Sequence, residues 1–132
     1  MSKMHLDIVT PERNVYSEDV DMIVTRAAGG DIGILPKHAP LVSPLGVTVV
    51  RVKKDGKEES IAVNGGFLEV RPDRVTILAE TAELPGQIDL ERAKAAKERA
   101  KKRLHDGDGD LKRAELALRR ALNRINVVQK PM

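Results

Sequence analysis

Six arginines carry the clearest chemical signal in this sequence. Arg92, Arg99 and Arg103 recur at spacings of 7 and 4, and Arg113, Arg120 and Arg124 repeat the same spacing. On helices, each set shares a face. A guanidinium presents its N–H donors as a planar fork that matches phosphate or carboxylate two bonds at a time. Two such rows brought together would make an anion site. The pattern alone leaves four readings open: a solvated face with i,i+4 pairs, docking to an acidic protein surface, a bound nucleotide phosphate, or nucleic acid. Nucleic acid is disfavoured because the only aromatics are Tyr16 and Phe67, so the basic segment has no ring on which a base could stack.

Just upstream of the first row lies "IDLERA", Ile88 to Ala93. Asp89 and Arg92 are three apart and share one side of a first helical turn. Local rules make Asp89 an N-cap and the two residues a surface ion pair. The alternative is that both grip a ligand.

Other chemistry is sparse. His5, His38 and His105 have no metal-ligand spacing. Ser43 and Ser60 sit in no nucleophile motif, and neither common phosphate loop, GxGxxG or GxxxxGK[ST], is present. "DGDGD", Asp106 to Asp110, opens like a calcium loop, but the sixth position is Leu111 and the twelfth Ala117, where glycine and glutamate are needed. It reads as a helix stop followed by a cap. With no catalytic residues and no metal site in view, the isolated chain is read as not an enzyme.

The elements that must position the arginines follow from pattern. The chain has 132 residues, 41% hydrophobic, 33% charged and 2% aromatic, so its core must be built from Val, Ile, Leu and Ala. It has no cysteine, which removes disulfides and thiolate metal sites. No apolar run approaches the ~20 residues that span a bilayer, and the N-terminus shows no apolar signal segment. Residues 1–84 read as an antiparallel β-sandwich of short strands. "MHLDIVTP" puts Met4, Leu6 and Ile8 on one face, "VDMIVTRA" follows, and "GVTVVRV" pairs with "ESIAV" through a tight Asp55-Gly56 turn. "NGG", Asn64 to Gly66, reads as another turn, before "FLEV" and "VTILAE". Between Gly29 and Leu45 the pattern predicts a long proline-punctuated loop. It is either a wide turn tucked over the sandwich end or a docking loop exposing Leu35, His38, Ala39 and Leu41.

Pro85 and Gly86 mark a hinge over 85–88. Residues 89–132 then read as an α-helical hairpin. A first helix from the Asp89 cap to about Leu104 offers Ala93, Ala96, Ala100 and Leu104. Gly107 and Gly109 end it, and Asp110 caps a second helix. In that helix Leu111, Ala114, Leu118, Ala121, Ile125 and Val128 fall at gaps of 3, 4, 3, 4 and 3, a coiled-coil seam. The fold class is thus α+β, an antiparallel sandwich followed by an antiparallel two-helix hairpin. Residues 1–86 carry 10 Lys/Arg against 13 Asp/Glu, net −3, and residues 87–132 carry 13 against 7, net +6. A basic hairpin on an acidic sandwich calls for an acidic partner. A thin alanine seam cannot hold such a hairpin alone, so it must lean on the sandwich, a partner or a ligand.

Four blocks, "GGDIGILPKHAPL", "GGFLEVRPDRVTILAE", "IDLERAKAAKERA" and "KRAELALRRALNR", together resemble the ε subunits of bacterial F-type ATP synthases, the Bacillus-like ones above all. The resemblance covers essentially the whole chain in order. It implies a peripheral subunit on the cytoplasmic side of the cell membrane. The sandwich would bind the γ subunit and the c-ring, coupling rotation to the ring. The hairpin would switch between a form folded on the sandwich and one extended along γ. Extended, it would meet acidic segments of the catalytic α and β subunits and inhibit ATP hydrolysis. ATP is implied as a regulatory ligand of the folded form, with magnesium left open. Ile88, Asp89, Arg92 and Ala93 fit the family's I(L)DxxRA motif, with Glu83, Arg99, Arg113, Arg120 and Arg124 as further contacts. The carboxylates of Glu83 and Asp89 would meet the adenine amine or ribose, and the arginines the phosphates. The c-ring loop would be Gly33 to Leu41, touching the ring through Leu35, His38, Ala39 and Leu41, with Lys37 where the family often has glycine. The alternative class is a nucleic-acid-binding adaptor with a basic hairpin.

Overall fold

The structure is a computed structural model that describes residues 3–107 and 109–129. Seven strands come first: β1 Met4–Val9, β2 Asn14–Val20, β3 Met22–Ala27, β4 Gly30–Ile34, β5 Leu41–Lys54, β6 Lys57–Val70 and β7 Arg74–Glu83. A short 3₁₀ turn, Pro85–Gln87, leads to helices α1 Leu90–Asp106 and α2 Leu111–Gln129. The strands follow one hydrogen-bonded order, β2-β1-β7-β6-β5-β3-β4. Every pair is antiparallel except β1 and β7, which run parallel.

Alternation builds the sandwich core. On β1, Met4, Leu6 and Ile8 are buried while His5, Asp7 and Val9 are only half so. Val20, Ile23, Ile34, Val50, Ile61, Val63, Leu68, Val75 and Ile77 complete a dry aliphatic interior. β5 and β6 form one long hairpin from Leu41↔Val70 to Lys54↔Lys57. Its turn residues Asp55 and Gly56 both have positive φ, 51° and 79°, as a type I′ turn requires.

Three sequence-based expectations about the strands change. Asn64–Gly66 is not a turn; it lies inside β6, and "ESIAV" and "FLEV" are halves of one strand. Gly65 and Gly66 have φ of 68° and 131°, and a Cβ on Gly66 would stand 1.9 Å from the Leu78 carbonyl oxygen. The chain kinks there, and the inward face changes parity. Ile61 and Val63 point inward before the kink, Leu68 and Val70 after it. β5 changes the same way, from Leu45 to Val50 and Val52, and β7 from Ile77 and Ala79 to Ala82. All three strands switch together, so Leu45↔Gly66 and Val47↔Asn64 keep one register. The second change concerns the segment Gly29 to Leu45. Its first half is strand β4 and its end already belongs to β5, leaving a loop only at 35–40. Nor does "VDMIVTRA" form one unit: Val20 closes β2, and β3 starts at Met22.

The helices begin and end as the pattern predicts. Asp89 caps α1, its carboxylate accepting from the Arg92 N–H at 3.0 Å. Gly107, at φ 66°, terminates α1 in the left-handed region. Asp110 caps α2 by accepting from the Arg113 N–H at 3.1 Å. The α2 seam is different from the expected one. Ala114, Ala121 and Val127 are buried, while Leu111 is 47% exposed and Leu118, Ile125 and Val128 are half-buried. α2 packs on two sides at once, against α1 and across β5 and β6. Its contact stripe is therefore shared between two surfaces and is not a single coiled-coil seam. Ser60 and Ala62 point away from the core yet are buried, because α2 lies over that face.

Candidate functional site

The hairpin is docked, and polar contacts of Asn123 and Arg124 join α2 to the sandwich. Asn123 Nδ2 donates to the Thr48 carbonyl at 2.8 Å. Arg124 Nε donates to Glu83 Oε1 at 2.6 Å, both side chains about one-third exposed or less. Glu83 ends β7 on the face that α2 covers. Among the described residues, the buried apolar ones of the hairpin are small, four alanines and Val127. Alanine lets α1 and α2 approach closely but supplies little buried area per residue.

At the joint of sandwich, 3₁₀ turn and hairpin lies a cleft of about 450 Å³. Glu83, Gln87, Asp89, Arg92, Ala93, Ala96, Arg99 and Arg124 line it. Three cations and two carboxylates face it, a formal balance of +1. Glu83 and Arg124 already satisfy one another. The guanidinium groups of Arg92 and Arg99 have no hydrogen-bond or ion-pair partner among the described residues. They are seven residues apart, two turns of one helix face, so both aim at the same opening. The cap bond uses Oδ1 of Asp89 and leaves its second oxygen to accept from a ligand. An anion at one end and a hydrogen-bond donor at the other would be complemented here.

Of the residues singled out from sequence, Glu83, Asp89, Arg92, Ala93, Arg99 and Arg124 share this one cleft. Ile88 follows the 3₁₀ turn, half-buried, and does not line it. Arg120 stands behind the Glu83–Arg124 pair, lining a small void with Asn64 and Thr81, its buried Nε unpartnered among the described residues. Arg113 lies exposed in the first turn of α2 and Arg103 exposed in the last turn of α1, and neither lines the cleft. Gln87 and Ala96 line the cleft without having been singled out. Ala96 was legible as part of the α1 alanine face. Gln87 was hidden in what reads as punctuation.

The loop at 35–40 has its own geometry. The His38 N–H returns to the Leu35 carbonyl at 3.1 Å, with Pro36 and Lys37 between them. Proline second and a positive φ third make the signature of a type II turn. Lys37 is that third residue, at φ 68°, and its N–H donates to the Pro72 carbonyl at 2.6 Å. His38 Nδ1 donates to the Ala39 carbonyl at 2.7 Å. Leu35 is 55% exposed and Ala39 exposed, whereas Leu41 packs partly on the core.

The architecture is a β-sandwich carrying a docked, basic helical hairpin, with an arginine-lined cleft at the joint. Comparison with known proteins gives this architecture its family. Residues 3–85 match the β-sandwich domain of the ATP synthase delta/epsilon chain, and residues 87–129 match its long α-helix domain. The ATP synthase epsilon chain of Halalkalibacterium halodurans is 56% identical over 130 residues, covering 96% of this chain and 98% of that one. The epsilon chain of Alkalihalophilus pseudofirmus is 59% identical over 133 residues, covering 98% and 100%. Among solved structures, a chain in the Euglena gracilis mitochondrial ATP synthase matches with a TM-score of 0.80 at 25% identity, over 93% of this chain and 79% of that one. The chain belongs to the ATP synthase delta/epsilon-chain family, and within it to the ε subunits.

Proposed function

We propose that this chain is the non-catalytic, regulatory ε subunit of the central stalk, and that its hairpin is a nucleotide-sensing switch. The sandwich binds the γ subunit and, through the Leu35–Leu41 loop, the membrane-embedded c-ring. That makes the chain a peripheral component on the cytoplasmic side. No described helix is long and apolar enough to cross a membrane. Docked, the hairpin is the inactive form of an inhibitor. Released, its basic helices reach acidic segments of the catalytic α and β subunits and restrain ATP hydrolysis.

The observation that carries this reading is the cleft. It opens between α1, the end of β7 and α2, so it exists in full only while the hairpin is docked. A ligand filling it binds the docked form better than the released one, and shifts the equilibrium by that difference alone. Arg92 and Arg99 suit the phosphates of ATP. The carboxylates of Asp89 and Glu83 suit the adenine amine or ribose hydroxyls. At 100 times its dissociation constant a docked-selective ligand contributes about 2.7 kcal/mol. That contribution acts on a seam whose buried residues are mostly alanine.

Titration calorimetry of the full chain with ATP tests this. Asp89→Asn keeps an oxygen for the helix cap and removes the charge, so it separates capping from ligand contact. Arg92→Ala removes one unpartnered guanidinium. Both are expected to weaken ATP binding at least tenfold, the size of a lost charged hydrogen bond. Equal heats and affinities across the three proteins would sink the assignment.

A further inference from the structure

Gln87 has a role that the arginine and carboxylate pattern does not supply. Its Oε1 is fixed from two sides. It accepts from the Leu84 N–H at 3.0 Å and from Arg13 Nη2 at 3.1 Å. Both partners are donors, so the side-chain oxygen must face them and the NH₂ group must face away. That NH₂ has no acceptor among the described residues, and Gln87 lines the cleft. Arg13 reaches it from the β1–β2 turn, 74 residues away in sequence, and holds an otherwise rotatable amide in one orientation.

The position decides what this amide can read. Gln87 sits at the start of the cleft beside Glu83 and Asp89, whereas Arg92 and Arg99 continue along α1. Phosphates are drawn to the unpartnered guanidinium groups of Arg92 and Arg99, whereas Arg124 is already committed to Glu83. The base therefore lies at the carboxylate end. A carboxylate accepts from an exocyclic amine but can offer nothing to the ring nitrogen beside it. An adenine edge carries both, one donor next to one acceptor. Gln87 supplies the missing donor there.

We infer that Gln87 donates to a ring nitrogen of the bound adenine, N1 or N7, and that Arg13 is the residue that positions it. This rests on the reading of the cleft as an adenine-nucleotide site. Calorimetry with ATP, 1-deaza-ATP and 7-deaza-ATP on the full chain tests it, with Gln87→Leu, Gln87→Glu and Arg13→Ala compared to the unaltered protein. Gln87→Glu keeps the oxygen that receives Leu84 and Arg13, so it preserves the turn while removing the donor. Thermal melting of each variant checks that it folds. Both Gln87 variants are expected to bind ATP roughly three- to tenfold more weakly, the range of one neutral hydrogen bond. One deaza analogue should show a similar loss on the unaltered protein and no further loss on Gln87→Leu. Arg13→Ala should narrow the difference between ATP and that analogue, which a purely structural role would not do. A deaza penalty that persists undiminished in both Gln87 variants, or ATP affinity unchanged by them, overturns the inference while leaving the site. Absence of ATP binding by the unaltered protein overturns both.

Discussion

Single residues here are set by backbone geometry as much as by chemistry. Lys37 occupies the left-handed position of a type II turn, where a side chain costs about 1–2 kcal/mol that glycine avoids. The turn bond from the His38 N–H to the Leu35 carbonyl and the commitment of the Lys37 N–H to Pro72 hold it there. Lys37→Gly should therefore stabilise the chain by about 0.5–1 kcal/mol, after the extra unfolded-state freedom of glycine is subtracted. Thermal denaturation reads this directly, and an unchanged or lower midpoint would argue against the strain. The cost at Lys37 was legible only through the family resemblance, which puts glycine at that position. The Asp89 cap was legible too, because capping depends only on local order. Gln87 was not legible. Its orientation depends on Arg13, and no local rule links residues so far apart.

At the scale of elements, strands were legible where one face is buried and one is wet, as on β1. The kink across β5, β6 and β7 was not. Two adjacent glycines between apolar runs carry the same local signal whether the chain turns back or changes face within one strand, and only partner strands on both sides decide it. The α2 seam failed for a related reason. A heptad pattern assumes one partner surface, and α2 has two.

Strand β2 ends the sheet and is secured by side chains around His5. His5 Nδ1 meets Asp19 at 2.8 Å, its Nε2 lies 3.0 Å from the Ser17 hydroxyl and 3.2 Å from Asp7, and Arg74 of β7 approaches Asp7 at 3.4 Å. The Asp19 hydrogen bond chiefly, then the charge of Asp7, raises the His5 pKa above its ordinary 6.5. Folding thus favours the protonated ring. That stabilisation is complete below about pH 6.5 and fades as pH rises through the raised value. Asp7 works in the opposite direction. Its pKa is lowered, first by the Ser17 hydroxyl, so its contribution is present above about 3.8 and fades in acid. Melting curves from pH 5.5 to 8.5 should fall more steeply for the unaltered protein than for His5→Gln. Parallel curves would show that His5 does not secure β2.

The whole molecule is two weakly joined charge blocks. An acidic sandwich with a large aliphatic core carries a hairpin of net charge +6 whose buried apolar residues, among those described, are four alanines and a valine. The sandwich face beneath α2 is correspondingly modest, with Ser60 and Ala62 buried there and Asn123 bonded to the Thr48 backbone. Undocking exposes little that water cannot satisfy, so the stability of the sandwich and the position of the hairpin are nearly independent. Charge asymmetry made this division visible in the sequence. Which arginines would share a cleft was not visible, because that depends on how far α2 slides along α1 and over β5 and β6.

The switch account is tested most directly by ATP hydrolysis in the assembled synthase, comparing the full chain with one ending before Asp89. The truncated chain keeps the complete sandwich, so assembly should be unchanged. Loss of the basic hairpin should raise the hydrolysis rate several-fold. Equal rates from equally assembled enzymes would contradict the claim that the hairpin restrains the catalytic subunits.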